Sequence, residues 1–447
     1  MEVSITQILD AREQRVIRQN ALLEQYGKSL VCFTMNIAGP IKDSGLIRSG
    51  FSLGDRLLKA QLEGSGIQIL HWEADFSPTG PTGFYVADAD ALTLKKLTCQ
   101  VEDHSPVARL FDMDVLAADG SKYSREQLGL DSRKCLLCEN DARICGRSRT
   151  HTVEQLQAET TRLLQEAIRK DLSRQTASIA VQSLLWEVCT TPKPGLVDCQ
   201  NSGSHADMDI FTFSASAAAL HPYFEDCVRI GLDTAQLSPE ETFSRLRLPG
   251  KLAEQTMLGV TGGVNTHKGA IFSLGILCAA FGRTQSADGK ILLRQCAQMT
   301  QGLCSRELGT SISHGQTLYA KYGIRGIRGQ AEGGFPAVQT GLDILEKGLA
   351  QGVSLNDAGC AALLHMMLQA EDSNLLHRSD PGTCKKILEE IAALLAQTPY
   401  PTQAQLQILD ADFIEKNLSP GGSADLLAIV YFLYLLVQNQ SKSSFIL

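Results

Sequence analysis

Two carboxylates and an arginine in the first third of the chain have the types and spacing of a metal-assisted transfer site. Residues 109–115 alternate apolar and acidic side chains, so a strand would place Asp112 and Asp114 on one face. Two such carboxylates can share one Mg²⁺, which prefers oxygen ligands and leaves coordination positions for substrate phosphates. Arg109 could then hold a phosphate oxygen. An Asp-x-Asp pair also occurs by chance on exposed strand edges, so the motif alone leaves both interpretations open.

A short turn upstream adds a second phosphate-binding candidate. Residues 39–42 read Gly-Pro-Ile-Lys. Gly39 permits close approach of the backbone to a phosphate, and Lys42 supplies a cation. The alternative interpretation is a plain turn.

Three cysteines and a histidine have spacings that could complete a zinc site. The first two thiols are separated as in a zinc knuckle, and tetrahedral zinc accepts three thiolates and one imidazole. The later spacings match no standard finger, so an oxidisable or merely buried set is the alternative. The four candidate ligands are Cys135, Cys138, Cys145 and His151.

Polar loops rich in glycine and proline separate the apolar helical segments of the second half. One of them, residues 262–269, would place backbone N–H groups, an imidazole and a lysine at the start of an apolar helix, where an anion is favoured. The order of residues excludes a Walker loop, and plain helix caps are the alternative. The five loops are residues 191–209, 261–269, 322–336, 372–374 and 419–425.

The first 170 residues resemble the apo-citrate lyase phosphoribosyl-dephospho-CoA transferases. The resemblance rests on residues 39–42, 109–115 and 133–138, which occur in the family's order. It implies attachment of the citrate lyase prosthetic group to a serine of the acyl carrier protein, the gamma subunit, with release of diphosphate. The family's Asp-x-Asp corresponds to Asp112 and Asp114. This chain departs from the family at Ala108, where glycine is usual, and at His104, which is displaced by one position.

Residues 175–440 resemble the triphosphoribosyl-dephospho-CoA synthases. The matching motifs lie at residues 191–198, 202–208, 265–269, 325–331 and 419–425. This resemblance implies that ATP and 3′-dephospho-CoA are condensed with displacement of adenine. The product would be the substrate of the first domain's family. The two resemblances together predict consecutive steps of one pathway on one chain.

The synthase chemistry requires a magnesium-neutralised triphosphate, a base for the attacking hydroxyl and stabilisation of positive charge at the anomeric carbon. We expect contacts to phosphates from Lys193, His267, Lys268 and Arg328. We expect metal binding and base duty to be divided among Asp198, Asp207, Asp209 and Asp425. Further substrate contacts are expected from His205, Asn265, Gly269, Arg325, Asp372 and Asn374. For His205 a capping or core-polar role is the alternative.

The elements that must position these residues divide into two domains. A chain of 447 residues exceeds what one hydrophobic core usually organises. Short β-branched runs at residues 30–34, 66–70 and 84–86, with turn residues at 77–83, predict an α+β, nucleotidyltransferase-type domain over residues 1–172, the transferase domain. Apolar residues at helical spacing predict a nearly all-α domain over residues 173–447, the synthase domain.

Composition limits the partners and the setting. The net charge of -8 offers no broad footprint for nucleic acid or an anionic membrane. The N-terminus lacks a signal pattern, and the longest apolar run, residues 426–437, is shorter than the ~20 residues of a spanning helix. Most of the 13 cysteines lie singly in apolar stretches, which favours reduced thiols. We therefore expect a cytoplasmic enzyme acting on small nucleotides.

Two other functions are compatible with parts of this pattern. The same two reactions could serve the malonate decarboxylase carrier protein, although residues 135–138 favour citrate lyase. A nucleotide-sensing regulator could use the cysteine segment to dock a partner. Retention of the candidate metal-binding carboxylates favours the enzyme.

Overall fold

The computed structural model describes residues 2–307 and 323–440, which divide into two compact units, one up to Asp171 and one from Leu172 onward. The first unit mixes helices with a small antiparallel sheet, and the described residues of the second form helices and connecting turns. The predicted α+β domain followed by a mostly α domain is therefore confirmed at the level of architecture. Tyr322, the first residue of one predicted loop, lies outside the described residues.

Helix caps and alternating strands form the first unit. Ser4 forms a capping box with Gln7, which satisfies free N–H groups at the start of the leading helix. Asp90 caps α3 through the backbone N–H of Thr93. The helices are α1 (Ile5–Tyr26), α2 (Gly45–Gly64), α3 (Ala91–Asp103) and α4 (Ala142–Ser148), and α5 (Val153–Cys189) contains the boundary between the units. The strands are β1 (Ser29–Met35), β2 (Ile69–Ser77), β3 (Gly80–Ala87), β4 (Phe111–Leu116) and β5 (Lys122–Tyr123).

The five strands pair in the order β2-β3-β1-β4-β5, and every pairing is antiparallel. One face of the sheet carries Phe33, Tyr85 and Met113 into the main core, together with apolar residues of α2, α3 and α5. On the opposite face, Cys32 and Phe84 pack against leucines of α1. The sheet is thus buried on one face, and only partly covered on the face that carries the acidic residues of β4.

Two predicted boundaries in this unit were wrong. Residues 66–70 were predicted as a strand, but β2 begins at Ile69 because the chain first turns after α2. Residues 77–83 were predicted as a turn, whereas β3 begins at Gly80 and residues 80–83 pair with β2. A tight hairpin needs only two residues between its strands, so the remaining turn-type residues extend the ladder.

Among the helices described in the second unit, seven begin at a residue whose side chain caps the first turn. Its helices are the end of α5, then α6 (Ile210–Ala219), α7 (His221–Asp233), α8 (Pro239–Val260), α9 (Lys268–Thr284), α10 (Gly289–Met299), α11 (Leu303–Glu307), α12 (Gly326–Glu332), α13 (Pro336–Ala350), α14 (Leu355–Met367), α15 (Ser373–His377), α16 (Pro381–Gln397), α17 (Gln403–Glu415) and α18 (Gly421–Gln440). Helix α12 lies inside the predicted loop 322–336, so that prediction was wrong for residues 326–332. Its buried Ala331 indicates that packing outweighs the unfavourable helix propensity of the glycines.

Helices α9 and α18 carry long buried faces. Residues 421–439 of α18 are long and apolar enough to span a membrane, with a mean hydropathy of 1.5. The sequence prediction considered only the uninterrupted apolar run, which is shorter than the helix. Because 61% of the 18-residue window is buried within the protein, it fits a core helix.

Candidate active sites

The acidic pair of the first unit lies on β4. Asp112 is opposite Thr34 and Asp114 is opposite Cys32 on β1, so both carboxylates point to one face as predicted. Their side chains are 50% and 37% exposed. Desolvation, and then the charge of Asp114, raise the pKa of Asp112. The pair is therefore accessible and has a carboxyl group that benefits from a nearby cation.

Two basic residues provide that positive charge. Lys122 Nζ lies 2.8 Å from Asp114 Oδ1, and Arg133 Nη1 lies 3.9 Å from Asp112 Oδ1. Arg133 also donates to the carbonyl oxygen of Phe111 at 2.7 Å and forms an ion pair with buried Glu102. The sequence prediction missed Arg133 as a site residue, although it lies within the 133–138 motif.

Arg109 lies in a 3₁₀ turn (Pro106–Leu110) just before β4. Its guanidinium donates to the carbonyl oxygens of Lys134, at 3.1 Å, and Cys135. Both hydrogen bonds are donated by Nη2, and they direct that end of the Arg109 guanidinium to the cysteine segment. The neighbouring Ala108 is buried in the core, where its methyl group replaces the family's glycine.

The turn at residues 39–42 is held by neighbouring elements. Gly39 has a φ of +83°, and a Cβ there would lie 2.1 Å from Gln157 Nε2, so both backbone and packing require glycine. Lys42 is half-buried and donates to the carbonyl oxygen of Ile37. Burial, followed by the charge of Arg12, lowers the pKa of Lys42. A phosphate role for Lys42 would therefore require its ammonium to change partner.

The cysteine segment brings its four predicted ligands together. One ligand atom from each residue lies within 4.8 Å of all the others. Cys138 Sγ is 3.5 Å from Cys145 Sγ and 3.3 Å from His151 Nε2. A tetrahedral zinc with Zn–S bonds of ~2.3 Å separates its ligands by roughly 3.5–3.8 Å. The arrangement of Cys135, Cys138, Cys145 and His151 fits a tetrahedral metal ion.

In the second unit, the loop after α5 is fixed by buried hydrogen bonds. Asp198 is 3% exposed and accepts backbone N–H groups from Lys193, Gln200 and Asn201, at 2.9, 2.7 and 3.1 Å. Asp410 accepts from the backbone of Gly195 at 2.8 Å. The oxygens of Asp198 are thus used to shape the loop.

A buried ion pair joins this loop to α5. Lys193 Nζ pairs with the Glu187 carboxylate and also donates to the Glu187 carbonyl oxygen at 2.8 Å. Their side chains are only 1% and 5% exposed. The Lys193 ammonium therefore has a protein anion as its partner. Sequence analysis missed Glu187, whose signal was a single carboxylate within the apolar end of α5.

Helices α9 and α18 meet at an acidic group. A Cβ at Gly269 would lie 1.8 Å from Asp425 Oδ2, so the start of α9 approaches that carboxylate directly. Burial, then the charges of Glu187 and Asp372, raise the pKa of Asp425 well above its ordinary value. The backbone N–H of Ala270 hydrogen bonds to Asp425 and opposes this shift. We refer to Glu187, Lys193, Gly269, Asp372 and Asp425 as the acidic centre.

Asp372 connects two helix starts within the acidic centre. It caps α15 by accepting the backbone N–H of Asn374 at 2.9 Å. It also accepts the backbone N–H and hydroxyl of Ser423, at 2.7 and 2.8 Å. Asn374 lies beside Gly421, where a Cβ would be 2.8 Å from its Nδ2. Both predicted residues therefore lie at the start of α18.

His267 is neutral and only 2% exposed. Burial, and then the charge of Lys193, lower the pKa of His267 to about 3. Ser216 Oγ lies 2.7 Å from His267 Nδ1 and accepts a hydrogen bond from Thr266 at 2.8 Å. If Ser216 donates to Nδ1, His267 Nε2 carries the hydrogen, and Nε2 is buried without a protein partner. His267 thus offers a neutral donor in place of the predicted cation.

The residues predicted at 205–209 have different environments. His205 Nδ1 accepts from Arg378 at 3.1 Å, so its Nε2 donates to Ser419 Oγ at 2.9 Å. Burial and Arg378 lower the pKa of His205. Asp207 has a 62% exposed side chain, whereas Asp209 caps α6 through Thr212. Both carboxylates are exposed, but Asp209 Oδ1 accepts hydrogen bonds from the backbone N–H and hydroxyl of Thr212.

The remaining predicted contacts lie at helix starts. Lys268 Nζ pairs with Glu254 at 3.0 Å, and Asn265 caps the same turn by accepting the backbone N–H of Lys268 at 3.2 Å. Arg325 is exposed and precedes α12, and Arg328 lies on that helix. These four residues supply polar groups outside the acidic centre.

The two units together define a class of enzyme: a sheet with an exposed carboxylate pair and a helical unit with a buried acidic centre suit two transfer reactions on phosphorylated substrates. The family model for ATP:dephospho-CoA triphosphoribosyl transferase matches residues 173–444. The model for apo-citrate lyase phosphoribosyl-dephospho-CoA transferase matches residues 3–167. The chain belongs to the family that joins these two transferases on one polypeptide. It is accordingly a bifunctional transferase.

Relatives with the same organisation match along the whole chain. Protein CitXG of Haemophilus influenzae is 37% identical, covering 96% of each chain. Protein CitXG of Leuconostoc mesenteroides subsp. cremoris is 34% identical, covering 97% of each chain. The 2-(5''-triphosphoribosyl)-3'-dephosphocoenzyme-A synthase of Klebsiella pneumoniae is 40% identical over 59% of this chain and 92% of its own. The chain therefore resembles both a fused protein and a separate synthase.

Proposed function

We propose that the chain makes the citrate lyase prosthetic-group precursor and attaches it to the carrier protein. The domain from residue 173 condenses ATP with 3′-dephospho-CoA, forming 2′-(5″-triphosphoribosyl)-3′-dephospho-CoA and releasing adenine. The domain up to residue 172 transfers the phosphoribosyl-dephospho-CoA group to a serine of the apo-acyl carrier protein, the gamma subunit of citrate lyase, and releases diphosphate. The observation that carries this proposal is the match to both transferase families in this order.

The transfer reaction uses the carboxylates of β4. Asp112 and Asp114 would hold Mg²⁺, which would supply charge neutralisation for the triphosphate and for the leaving diphosphate. The carrier serine oxygen forms a bond to the phosphorus atom nearest the ribose. The bond between that phosphorus and the diphosphate breaks, and the serine proton is lost to a base. Exposure of both carboxylates and the nearby cations Lys122 and Arg133 support this role. This is the chemistry of a nucleotidyltransferase-type domain.

The synthase reaction takes place at the acidic centre. The ribose 2′-hydroxyl of dephospho-CoA forms a bond to the anomeric carbon of ATP and loses its proton to a base, and the bond to adenine breaks. Asp425, whose pKa is raised by burial, lies at the start of α9 and donates a proton to the departing adenine. The unpartnered Nε2–H of His267 donates to the bound substrate. Asp207, an exposed carboxylate, would be a ligand for Mg²⁺, which would supply charge neutralisation of the triphosphate.

The cysteine segment holds a structural zinc ion. Its donor set of three thiolates and an imidazole is one that tetrahedral zinc prefers, and the mutual distances support it. Zinc would fold a segment that has little apolar core of its own. We further propose a cytoplasmic setting, in which these thiols remain reduced.

The citrate lyase carrier is favoured over its malonate decarboxylase counterpart because the family matched by the first domain is the citrate lyase one. A sensing regulator is disfavoured because the exposed pair of Asp112 and Asp114 retains a geometry suitable for metal binding.

The test separates the two reactions in one chain. The double variant Asp112→Asn with Asp114→Asn should lose transfer of preformed triphosphoribosyl-dephospho-CoA to apo-carrier, measured by carrier mass. Adenine release from ATP and dephospho-CoA should continue at the wild-type rate. Asp119→Asn, in the exposed turn after β4, is the matched control and should keep both activities. Wild-type carrier labelling by the double variant would refute the assignment.

A further inference from the structure

The segment between β5 and α5 depends on its cysteines for its shape. It contains a three-residue 3₁₀ turn (Glu126–Leu128) and the seven-residue α4, and Ile144 on that helix is 63% exposed. Backbone hydrogen bonds close a knuckle, from Cys135 to Asn140 at 2.7 Å and from Ala142 to Arg133 at 2.8 Å. With so little apolar burial, a bound metal would supply most of the order of this segment.

Two arginines connect the knuckle to the strand that bears the acidic pair. Arg109, directly before β4, donates to the carbonyl oxygens of Lys134 and Cys135. Arg133 extends from the knuckle in the opposite direction, to the Phe111 carbonyl oxygen and to Asp112. The backbone of Arg133 is thus held by the knuckle while its guanidinium lies beside the carboxylate.

We propose that the metal ion held by Cys135, Cys138, Cys145 and His151 positions Arg133 beside Asp112, so that metal occupancy controls carrier transfer without affecting the synthase reaction. This inference rests on the proposed transfer role of Asp112. Arg133 is a positioning residue: its guanidinium is held by the Phe111 carbonyl oxygen and by Glu102, and it lies beside the Asp112 carboxylate that it orients.

The charges around Asp112 determine what Arg133 contributes. Asp114 on the same strand and Glu102 on α3 both disfavour its ionised form, and Lys122 on β5 favours it. The side chain of Lys122 is 60% exposed and forms an ion pair with Asp114. The side chain of Arg133 is 28% exposed and lies beside Asp112. Replacing Arg133 therefore removes the partly buried cation that lies beside Asp112. Because the carboxylate is then no longer held in place, the Mg²⁺ concentration needed for transfer should rise.

The first experiment measures metal in the purified full-length chain. We expect one zinc per chain by elemental analysis, and a thiolate-to-metal absorption band after exchange with Co²⁺. Cys138→Ser should lose the metal, whereas the exposed Cys189→Ser should keep it. Absence of bound metal and of the cobalt band from the wild-type protein would overturn the proposal.

The second experiment measures function after metal removal. Chelation followed by resupply of Mg²⁺ should reduce carrier transfer by ~10–100-fold, the usual loss when an outer contact of a site is removed. Adenine release should stay unchanged, and zinc should restore transfer. If transfer survives removal, the coupling is wrong. If the untreated wild type also fails to label the carrier, the proposed transfer function fails instead.

A third experiment tests Arg133 itself through the Mg²⁺ dependence of transfer. Arg133→Gln should increase the Mg²⁺ concentration needed for half-maximal transfer, while zinc content stays at one per chain. Arg133→Lys should restore part of the lost Mg²⁺ affinity. A variant with a lower rate but an unchanged Mg²⁺ dependence would show that Arg133 only supports the fold and would overturn its positioning role.

Discussion

Replacing Gly269 with alanine tests the acidic centre through one methyl group. The added Cβ would lie 1.8 Å from Asp425 Oδ2, far inside the ~3.5 Å of an ordinary contact between heavy atoms. Either the carboxylate of Asp425, which is buried and hydrogen bonded to the Ala270 N–H, or the first turn of α9 must move to relieve the overlap. Overpacking of this kind costs roughly 1–3 kcal/mol.

The effect on stability and the effect on catalysis should differ. Alanine favours a helix over glycine by about 1 kcal/mol, which offsets part of the overpacking cost in the free energy of unfolding. Displacement of Asp425 has no such compensation in the reaction. If displacement of Asp425 raises the activation free energy by the full steric cost, the rate of adenine release should drop about 10- to 100-fold. A change of ~1.4 kcal/mol corresponds to a factor of ten in rate.

The assay is adenine release from ATP and dephospho-CoA, with carrier transfer of preformed intermediate measured on the same preparation. Gly269→Ala should lose the first and keep the second. Gly259→Ala is the matched control, because a Cβ at Gly259 meets nothing within 4 Å. Wild-type adenine release by Gly269→Ala would show that the contact with Asp425 has no part in synthesis.

Two further predictions concern buried charge in the second unit. Lys193→Met should destabilise it by about 3–5 kcal/mol in urea unfolding, because buried Glu187 loses its partner; Lys268→Met, which breaks an exposed pair with Glu254, should cost below ~1 kcal/mol, and equal costs would contradict this. His267 has a folded pKa of about 3, so the unfolded chain binds its proton first as pH falls. Stability should therefore decline from about pH 6.5 towards 3, by up to ~1.4 kcal/mol per pH unit from this group. His267→Gln should flatten that slope in denaturation curves, and an unchanged slope would refute the buried neutral imidazole.

Local patterns in the sequence were sufficient for the architecture and for one site feature. Alternation predicted that Asp112 and Asp114 share a face, because side-chain direction in a strand depends only on spacing. The same alternation could not show that β4 begins at Phe111, which leaves Arg109 in the preceding turn. Arg133 was missed because its contact with Asp112 depends on how the knuckle folds back.

The acidic centre was less predictable because its members come from distant parts of the chain. Loop composition predicted Lys193, Gly269 and Asp425 as site residues, but gave no indication that Lys193 is buried against Glu187. Burial also changes the chemistry, since it makes His267 neutral where the sequence suggested a cation. Such pairings depend on tertiary packing of the helices, and local residue patterns do not encode them individually.

The central claim is that one chain performs synthesis and transfer in sequence. The most direct measurement is the mass of apo-acyl carrier protein of citrate lyase after incubation with the full-length protein, ATP, Mg²⁺ and dephospho-CoA, with free adenine measured in parallel. The account predicts adenine release without carrier and, when carrier is present, a mass increase equal to one phosphoribosyl-dephospho-CoA group. Carrier that stays unmodified while preformed intermediate is also rejected, or the absence of adenine release, would contradict it.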